Sequence, residues 1–310
     1  MTIELADFGS FHVGGRRVEV RGRPTETRYV SSSVPAYPWD PNGDFWVEQA
    51  YVQYFIPAKR RCPLPVVLQH GGGLTGSCWE STPDGRPGWL NSFLKAGFAT
   101  YVIDNVERGR AGFCAVPGEW PGAPALRSLQ MAWTMFRFGP RYGEAFPGQR
   151  FPVESMDAFG RAFVPRWAHT VPLQQAALTE AIRKIGPCVL VGHSQGGEMG
   201  SAAVTAAPEH VRAAVFIEPS GFPQRFDNVR GRSFLYLMGD YLDRDASGLW
   251  PELTPKTQAT VAALNAAGAK AEYVSLPERG VKGNSHMLMM DDNSDELAKL
   301  VQYWILNAVA

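Results

Sequence analysis

A serine lies at the centre of a Gly-x-Ser-x-Gly pattern at residues 192–196 (GHSQG). The apolar run before it predicts a buried strand, and the small residues after it predict a helix. Such a turn holds the Ser194 hydroxyl above the sheet, while Gly192 and Gly196 leave room where side chains would collide with neighbouring backbone. The following helix would direct its first N–H groups and the positive end of its dipole at the reacting centre. The pattern therefore predicts that Ser194 is a nucleophile.

A serine hydroxyl needs a general base, which is usually a histidine, and the chain has six. In the chain order that accompanies a nucleophile of this kind, the base comes last. His12 and His70 precede the serine, and His193 shares its turn. His169 belongs to a long insertion, and His210 precedes a strand. These five histidines are therefore unsuitable. Strand alternation is expected to turn His193 away from the site. His286 follows the last predicted strand, and we expect it to be the base.

The base needs a carboxylate that fixes its tautomer and stabilises the imidazolium. We expect that carboxylate to leave a strand at the carboxyl edge of the sheet. Glu218 ends the predicted strand after the serine, and Asp240 ends the next one. The residues alone leave these two about equally favoured, with Asp243 third.

An oxyanion hole requires two backbone donors. One is predicted at Gln195, the residue after the nucleophile. The other is expected in the His-Gly-Gly-Gly run at 70–73, where glycines let a carbonyl approach bare amides. We favour Gly72, then Gly73. A phosphate loop would need G-x-G-x-x-G or a Walker lysine, and this run has neither.

Short apolar segments alternate with helical segments over most of the chain. Strands are predicted at 11–13, 17–20, 45–56, 65–70, 99–104, 188–191, 212–218, 233–240 and 271–276. Helices are predicted at 91–97, 128–136, 173–185, 198–204, 257–267 and 295–308, and a loop at 31–44. The first strands are expected to be antiparallel. The later alternation predicts an α/β fold, with a mostly parallel central sheet and helices on both faces.

Between about 110 and 172 the alternation stops, and no strand is predicted. An insertion of this length in a compact α/β fold is typical of a functional lid. We therefore expect one domain over 1–310, with a cap at about 110–172. Two hypotheses explain the aromatic residues of the cap: they form its own core, or one or two of them line the substrate pocket. The candidates for the pocket wall are Trp120, Trp133, Phe136, Phe138 and Trp167.

The bulk composition excludes several classes of protein. The chain is 45% hydrophobic with a formal net charge of zero, which gives no electrostatic reason to expect nucleic acid or an anionic membrane as a partner. No signal segment or membrane span is visible, so a cytoplasmic protein is expected. The four cysteines lack zinc-site spacing and are expected to be free, buried thiols. We expect no metal or cofactor, and a homodimer is left open.

Several motifs together resemble a branch of bacterial α/β-hydrolase esterases with a Ser–His–Glu triad, similar to the esterases that de-esterify sulfonylurea herbicides. The resemblance covers most of the chain, and its matching segments are 40–44, 51–54, 74–76, 79–85, 108–110, 136–142 and 283–287. It implies the α/β-hydrolase fold. In that branch the acid is a glutamate after the strand that follows the serine, which corresponds to Glu218. The resemblance therefore favours Glu218 over Asp240.

The expected function is hydrolysis of a small-molecule carboxylic ester through an acyl-enzyme on Ser194, with His286 and Glu218 completing the triad. A lactonase or an amidase is the first alternative, because the same triad attacks those carbonyls. A non-catalytic ligand-binding protein with this fold is less favoured, because the nucleophile, the base and the oxyanion loop are all present.

Overall fold

The computed structural model describes residues 2–310, which are organised around one sheet of eight strands. In chain order the strands are β1 (Leu5–Val20), β2 (Glu26–Arg28), β3 (Tyr37–Trp39), β4 (Gly43–Pro57), β5 (Val66–Gln69), β6 (Thr100–Asp104), β7 (Cys188–His193), β8 (Val211–Ile217), β9 (Ser233–Met238) and β10 (Lys270–Ser275). The order across the sheet is β1-β4-β6-β5-β7-β8-β9-β10, and β2 pairs with β3 in a separate ribbon. The pairs β1–β4 and β4–β6 are antiparallel, and every other pair in the large sheet is parallel. The predicted α/β architecture is confirmed.

Helices cover both faces of the sheet. They are α1 (Trp89–Lys95), α2 (Leu129–Met135), α3 (Met156–Gly160), α4 (Val171–Ile185), α5 (Gln195–Ala206), α6 (Leu249–Ala266) and α7 (Ser294–Val309). Side chains of α1 and α7 pack into the core on one face, and those of α4, α5 and α6 pack into the core on the other. Along β7, Val189 and Val191 enter the first core while Cys188 and Leu190 enter the second. Because both faces of β7 are buried, its sequence is a continuous apolar run.

The N-terminal strands are longer than the sequence indicated. The two predicted pieces at 11–13 and 17–20 form one strand, β1, because β4 pairs with it along nearly its whole length. Gly14 and Gly15, between the two pieces, have positive φ angles, and a Cβ on Gly15 would lie 2.6 Å from the Val47 carbonyl oxygen. The predicted loop at 31–44 also contains a short strand, β3.

The segment between β6 and α4 contains short helices and turns but no strand among the described residues. Its backbone is fastened to itself by an isolated bridge between Ala125 and Arg166. Its interior aromatic rings continue the first core of the sheet: Trp133, Phe136, Phe138, Phe151 and Phe159. This segment therefore packs directly on the sheet rather than around a separate core.

The four cysteines are free and buried. Across residues 2–310, no helix combines the length and the apolar character that crossing a membrane requires.

The α1 contact with the sheet generates a stability prediction. Phe93 is fully buried, with its ring 6.2 Å from that of Trp89 and 5.3 Å from that of Phe98, whereas Phe8 is 66% exposed. Phe93→Ala should lower the free energy of unfolding by about 3–5 kcal/mol, because a buried ring is lost and a cavity is left. Phe8→Ala should change it by about 0.5 kcal/mol or less. Denaturant unfolding measures both, and equal effects would contradict this description of the core.

Candidate active site

Ser194 is the single residue between β7 and α5. Its φ of 54° and ψ of −120° lie in a region that residues with a side chain rarely adopt. Glycines make this turn sterically feasible. A Cβ on Gly192 would lie 2.6 Å from the Gly196 carbonyl oxygen, and a Cβ on Gly196 would lie 2.6 Å from that of Gln69. The half-buried Ser194 is therefore held at the apex of a strained strand–turn–helix unit.

His286 lies in the loop after β10, and Glu218 directly follows β8. His286 Nδ1 is 2.6 Å from Glu218 Oε2, so the carboxylate fixes the orientation of the imidazole. Glu218 does not contact the second ring nitrogen, Nε2. The imidazole also lies against the residue that precedes Ser194. The His193 ring is 4.5 Å from the His286 ring, and His193 Nε2 is 2.9 Å from the His286 carbonyl oxygen.

The position of His193 corrects an expectation. Strand alternation was expected to turn this side chain away from the site, yet its ring packs on His286. Alternation along β7 holds and places His193 on the same face as Val189 and Val191, but the loop that carries His286 packs on that face too. His193 is nevertheless poorly suited to be a base. Burial, followed by the charge of His286, lowers its pKa well below the ordinary value, and its Nε2 is engaged by a backbone carbonyl.

Glu218 is fully buried and has three hydrogen-bond donors. Besides His286, Arg137 Nη2 donates to Oε1 at 2.5 Å, and the Gly239 amide donates to the same oxygen at 2.7 Å. Burial alone would raise the pKa of Glu218. The charge of Arg137 and the hydrogen bond from His286 outweigh that effect, so the pKa of Glu218 is lowered. The carboxylate is therefore ionised at neutral pH.

Burial lowers the pKa of His286 below its ordinary value, and it does so more strongly than Glu218 raises it. Two aromatic rings pack against the imidazole. The Phe136 ring is 5.1 Å from the imidazole and the Trp250 ring is 4.7 Å from it. The imidazole is therefore neutral at neutral pH and able to accept a proton.

The other two candidate acids, Asp240 and Asp243, are not hydrogen-bonded to the imidazole, and Asp243 is exposed in the short 3-10 helix after β9. Asp240 uses its carboxylate to accept from the backbone amides of Gly283 and Tyr241. Asp291 is fully buried and accepts from Ser285 and from the Asn284 side chain, which holds the loop that carries His286. Burial raises the pKa of Asp291 to about 7.

The glycine run after β5 lies beside the serine turn. A Cβ on Gly71 would lie 3.0 Å from the Ser194 Cβ, and a Cβ on Gly72 would lie 2.8 Å from Gln195 Oε1. The Gly73 carbonyl accepts from the Val164 amide, so the loop is also fastened to the cap segment. Gly72, in the loop after β5, and Gln195, the first residue of α5, therefore both lie close to Ser194.

The five aromatic residues considered for a pocket wall occupy different places. Trp133 and Phe138 lie in the buried core, and Phe138 stacks on Phe151 with ring centroids 3.9 Å apart. Trp120 and Trp167 pack against each other near β4, where Trp120 donates to Glu48. Phe136 differs from the other four because its ring packs against the imidazole of His286.

No protein-family model matches the chain. A solved structure described as a novel bacterial esterase is 36% identical in sequence and superposes with a TM-score of 0.87, covering 100% of this chain and 98% of the other. The chain belongs to the α/β-hydrolase esterases. A further relative is the "probable secreted lipase phiG" of a fungal species (strain ATCC 74256), which is 28% identical over 82% of this chain and 85% of its own length.

Sequence reasoning on this esterase did not identify Arg137, Trp250 or Asp291 as parts of the site. The sequence did contain a sign of a buried role for Arg137, because this arginine stands between two aromatic residues in a segment with core character. The sequence contained no such sign for Trp250 and Asp291, because helix α6 and the loop after β10 come close to the imidazole only in the tertiary fold.

The buried pair of Arg137 and Glu218 predicts a change in pH dependence. Arg137→Gln should lower kcat and move the acid limb of the kcat/KM profile to higher pH. The sign follows because the Arg137 charge lowers the pKa of both Glu218 and His286, so its loss raises both. In the triad expected from the sequence, activity requires an ionised Glu218 and a neutral His286. With both pKa values raised, activity would be lost at a higher pH than in the wild type when the pH is lowered.

Arg137→Lys is the matched control, because it keeps the charge but not the hydrogen bond from Nε to the Asp240 carbonyl. It should restore most of the wild-type pH profile. A Gln variant whose acid limb stays in place or moves to lower pH would contradict the prediction.

Proposed function

We propose that this esterase cleaves carboxylic esters through an acyl-enzyme on Ser194, with His286 as general base and Glu218 as the acid that orients it. One observation carries the proposal. Ser194 stands at a strained turn beside His193, and the His193 ring packs on the imidazole that Glu218 holds at 2.6 Å. A nucleophile, a base and an orienting carboxylate in this relation are suited to acyl transfer.

In the first half-reaction, Ser194 Oγ attacks the ester carbonyl carbon while Nε2 of His286 takes the hydroxyl proton. The tetrahedral intermediate then collapses with cleavage of the bond to the alkoxy group. His286 returns the proton to that leaving group, which departs as the alcohol. Glu218 remains ionised throughout and stabilises the imidazolium.

In the second half-reaction, water attacks the acyl-enzyme carbonyl and His286 accepts a proton from that water. Collapse of the second intermediate breaks the bond to Ser194 Oγ, which regains its proton from His286. The carboxylic acid product leaves and the site is restored. In both intermediates the amides of Gly72 and Gln195 donate to the oxyanion.

The cap proposal concerns the segment at about 110–172. We assign it part of the wall of the substrate pocket, within a single domain spanning 1–310. Phe136 is the favoured wall residue because its ring packs on His286. The contacts of Trp133 and Phe138 support the alternative that they serve mainly as core.

The triad proposal predicts that Ser194→Ala and His286→Ala each abolish turnover of p-nitrophenyl acetate without unfolding the protein. Ser194→Ala should also abolish labelling by a fluorophosphonate probe. Ser220→Ala and His169→Ala are matched controls and should retain wild-type labelling and rate. Near wild-type kcat in either triad variant would contradict the assignment.

A second prediction separates the two carboxylates that follow neighbouring strands. Glu218→Gln should lower kcat by about 10⁴-fold, because the imidazole loses the group that fixes its tautomer. Asp240→Asn should cost far less, since this carboxylate contacts backbone amides and not the imidazole. Steady-state kinetics on one activated ester measure both, and the reverse ranking would place the acid at Asp240.

A further inference from the structure

Two arginines of the cap segment lie against the loop that we assign to the oxyanion hole. Arg127 Nη1 donates to the Gly72 carbonyl oxygen at 3.2 Å. Arg166 Nη1 lies 2.6 Å from the position that a Cβ on Gly72 would occupy, and Gln195 Oε1 lies 2.8 Å from the same point. Both guanidinium groups are therefore adjacent to residues that neighbour the nucleophile.

The backbone of the cap fixes both arginines in place. Ala125 and Arg166 exchange two backbone hydrogen bonds of 2.8 and 3.0 Å, which holds the two arginine segments side by side. The Val164 amide donates to the Gly73 carbonyl at 3.0 Å and ties the same segments to the glycine loop. The Arg127 guanidinium carbon is also 4.8 Å from the centre of the Phe136 ring. These contacts make the pair a built feature of the site.

The positive charge of this pair is not balanced by ion pairs. Within residues 2–310, no carboxylate lies within 4.0 Å of the guanidinium nitrogens of Arg127 or Arg166, whereas the neighbouring Arg108 pairs with Glu107 at 2.9 Å. Burial, followed by the charges of Arg166 and Arg108, lowers the pKa of Arg127 to about 10, so it stays protonated at neutral pH. The half-buried Glu198 feels the charge of Arg166 without pairing with it. Partial burial of a charge without a partner has a desolvation cost, which an anionic ligand would offset.

We propose that Arg127 and Arg166 bind a carboxylate that the ester substrate carries in addition to its scissile ester. The preferred substrates are then half-esters of dicarboxylic acids, or other esters with a free carboxylate within a few bonds of the carbonyl. A guanidinium matches a carboxylate in shape and charge, and two of them select it over a neutral ester group. This inference rests on the proposed function, because it places the carboxylate beside Gly72 while the ester carbonyl lies at Ser194.

The test compares substrates that differ in charge alone. Monomethyl and dimethyl esters of succinate, glutarate and adipate are hydrolysed near neutral pH, and kcat/KM is corrected for the two ester groups of each diester. The wild-type enzyme should favour at least one half-ester by about tenfold or more. Arg127→Gln and Arg166→Gln should each lower that preference by about tenfold, and the double variant should remove it.

Arg161→Gln is the matched control, because Arg161 is an exposed arginine of the same segment. It should retain the wild-type preference. A second readout does not depend on turnover: calorimetry should show that glutarate binds the wild-type enzyme more tightly than glutaramide does, and that Arg166→Gln removes the difference.

The proposal is overturned if no half-ester is preferred and glutarate binds no better than glutaramide. It is also overturned if the Gln variants lower kcat/KM equally for both members of each pair, since that result assigns the arginines to the oxyanion loop itself. Failure of the proposed function has a different signature. In that case Ser194→Ala would leave p-nitrophenyl acetate turnover unchanged, whatever the outcome of the calorimetry.

Discussion

The buried carboxylate of Glu218 is the constraint on which the site depends. Taking an unpaired carboxylate out of water would cost several kcal/mol, so the fold must supply partners for both of its oxygens. Those partners come from three separate parts of the chain: Arg137 from the cap, Gly239 from the end of β9 and His286 from the loop after β10. One charge therefore holds together elements that are distant in sequence, and the imidazole is oriented as a consequence.

A second constraint is the strained backbone at Ser194, which persists only because its surroundings fix it. The positive φ is possible where Gly192 and Gly196 let β7, α5 and the end of β5 approach to distances that no Cβ would permit. The same approach brings the loop at 70–73 beside Ser194 and Gln195. The position of the glycine loop is thus set by the packing that creates the turn.

The cap supplies charge and apolar surface to the same site. Phe136 contacts both the imidazole of His286 and the guanidinium of Arg127, and Arg137 reaches Glu218 from the next position in the chain. A segment without strands can be this well ordered because its other aromatic rings join the core of the sheet. This segment is therefore tied to Glu218 and His286 by buried contacts.

The sequence by itself determined the class of sheet, the serine turn, the glycine loop and the position of His286. These features depend on local patterns and on chain order, which a single sequence displays. The tertiary structure decided which carboxylate meets the imidazole: the residues alone left Glu218 and Asp240 equal, and only the packing of β8 and β9 brings Glu218 to 2.6 Å. It also decided the roles open to Arg127, Arg137 and Arg166, since whether a charge is paired depends on contacts between residues far apart in the chain.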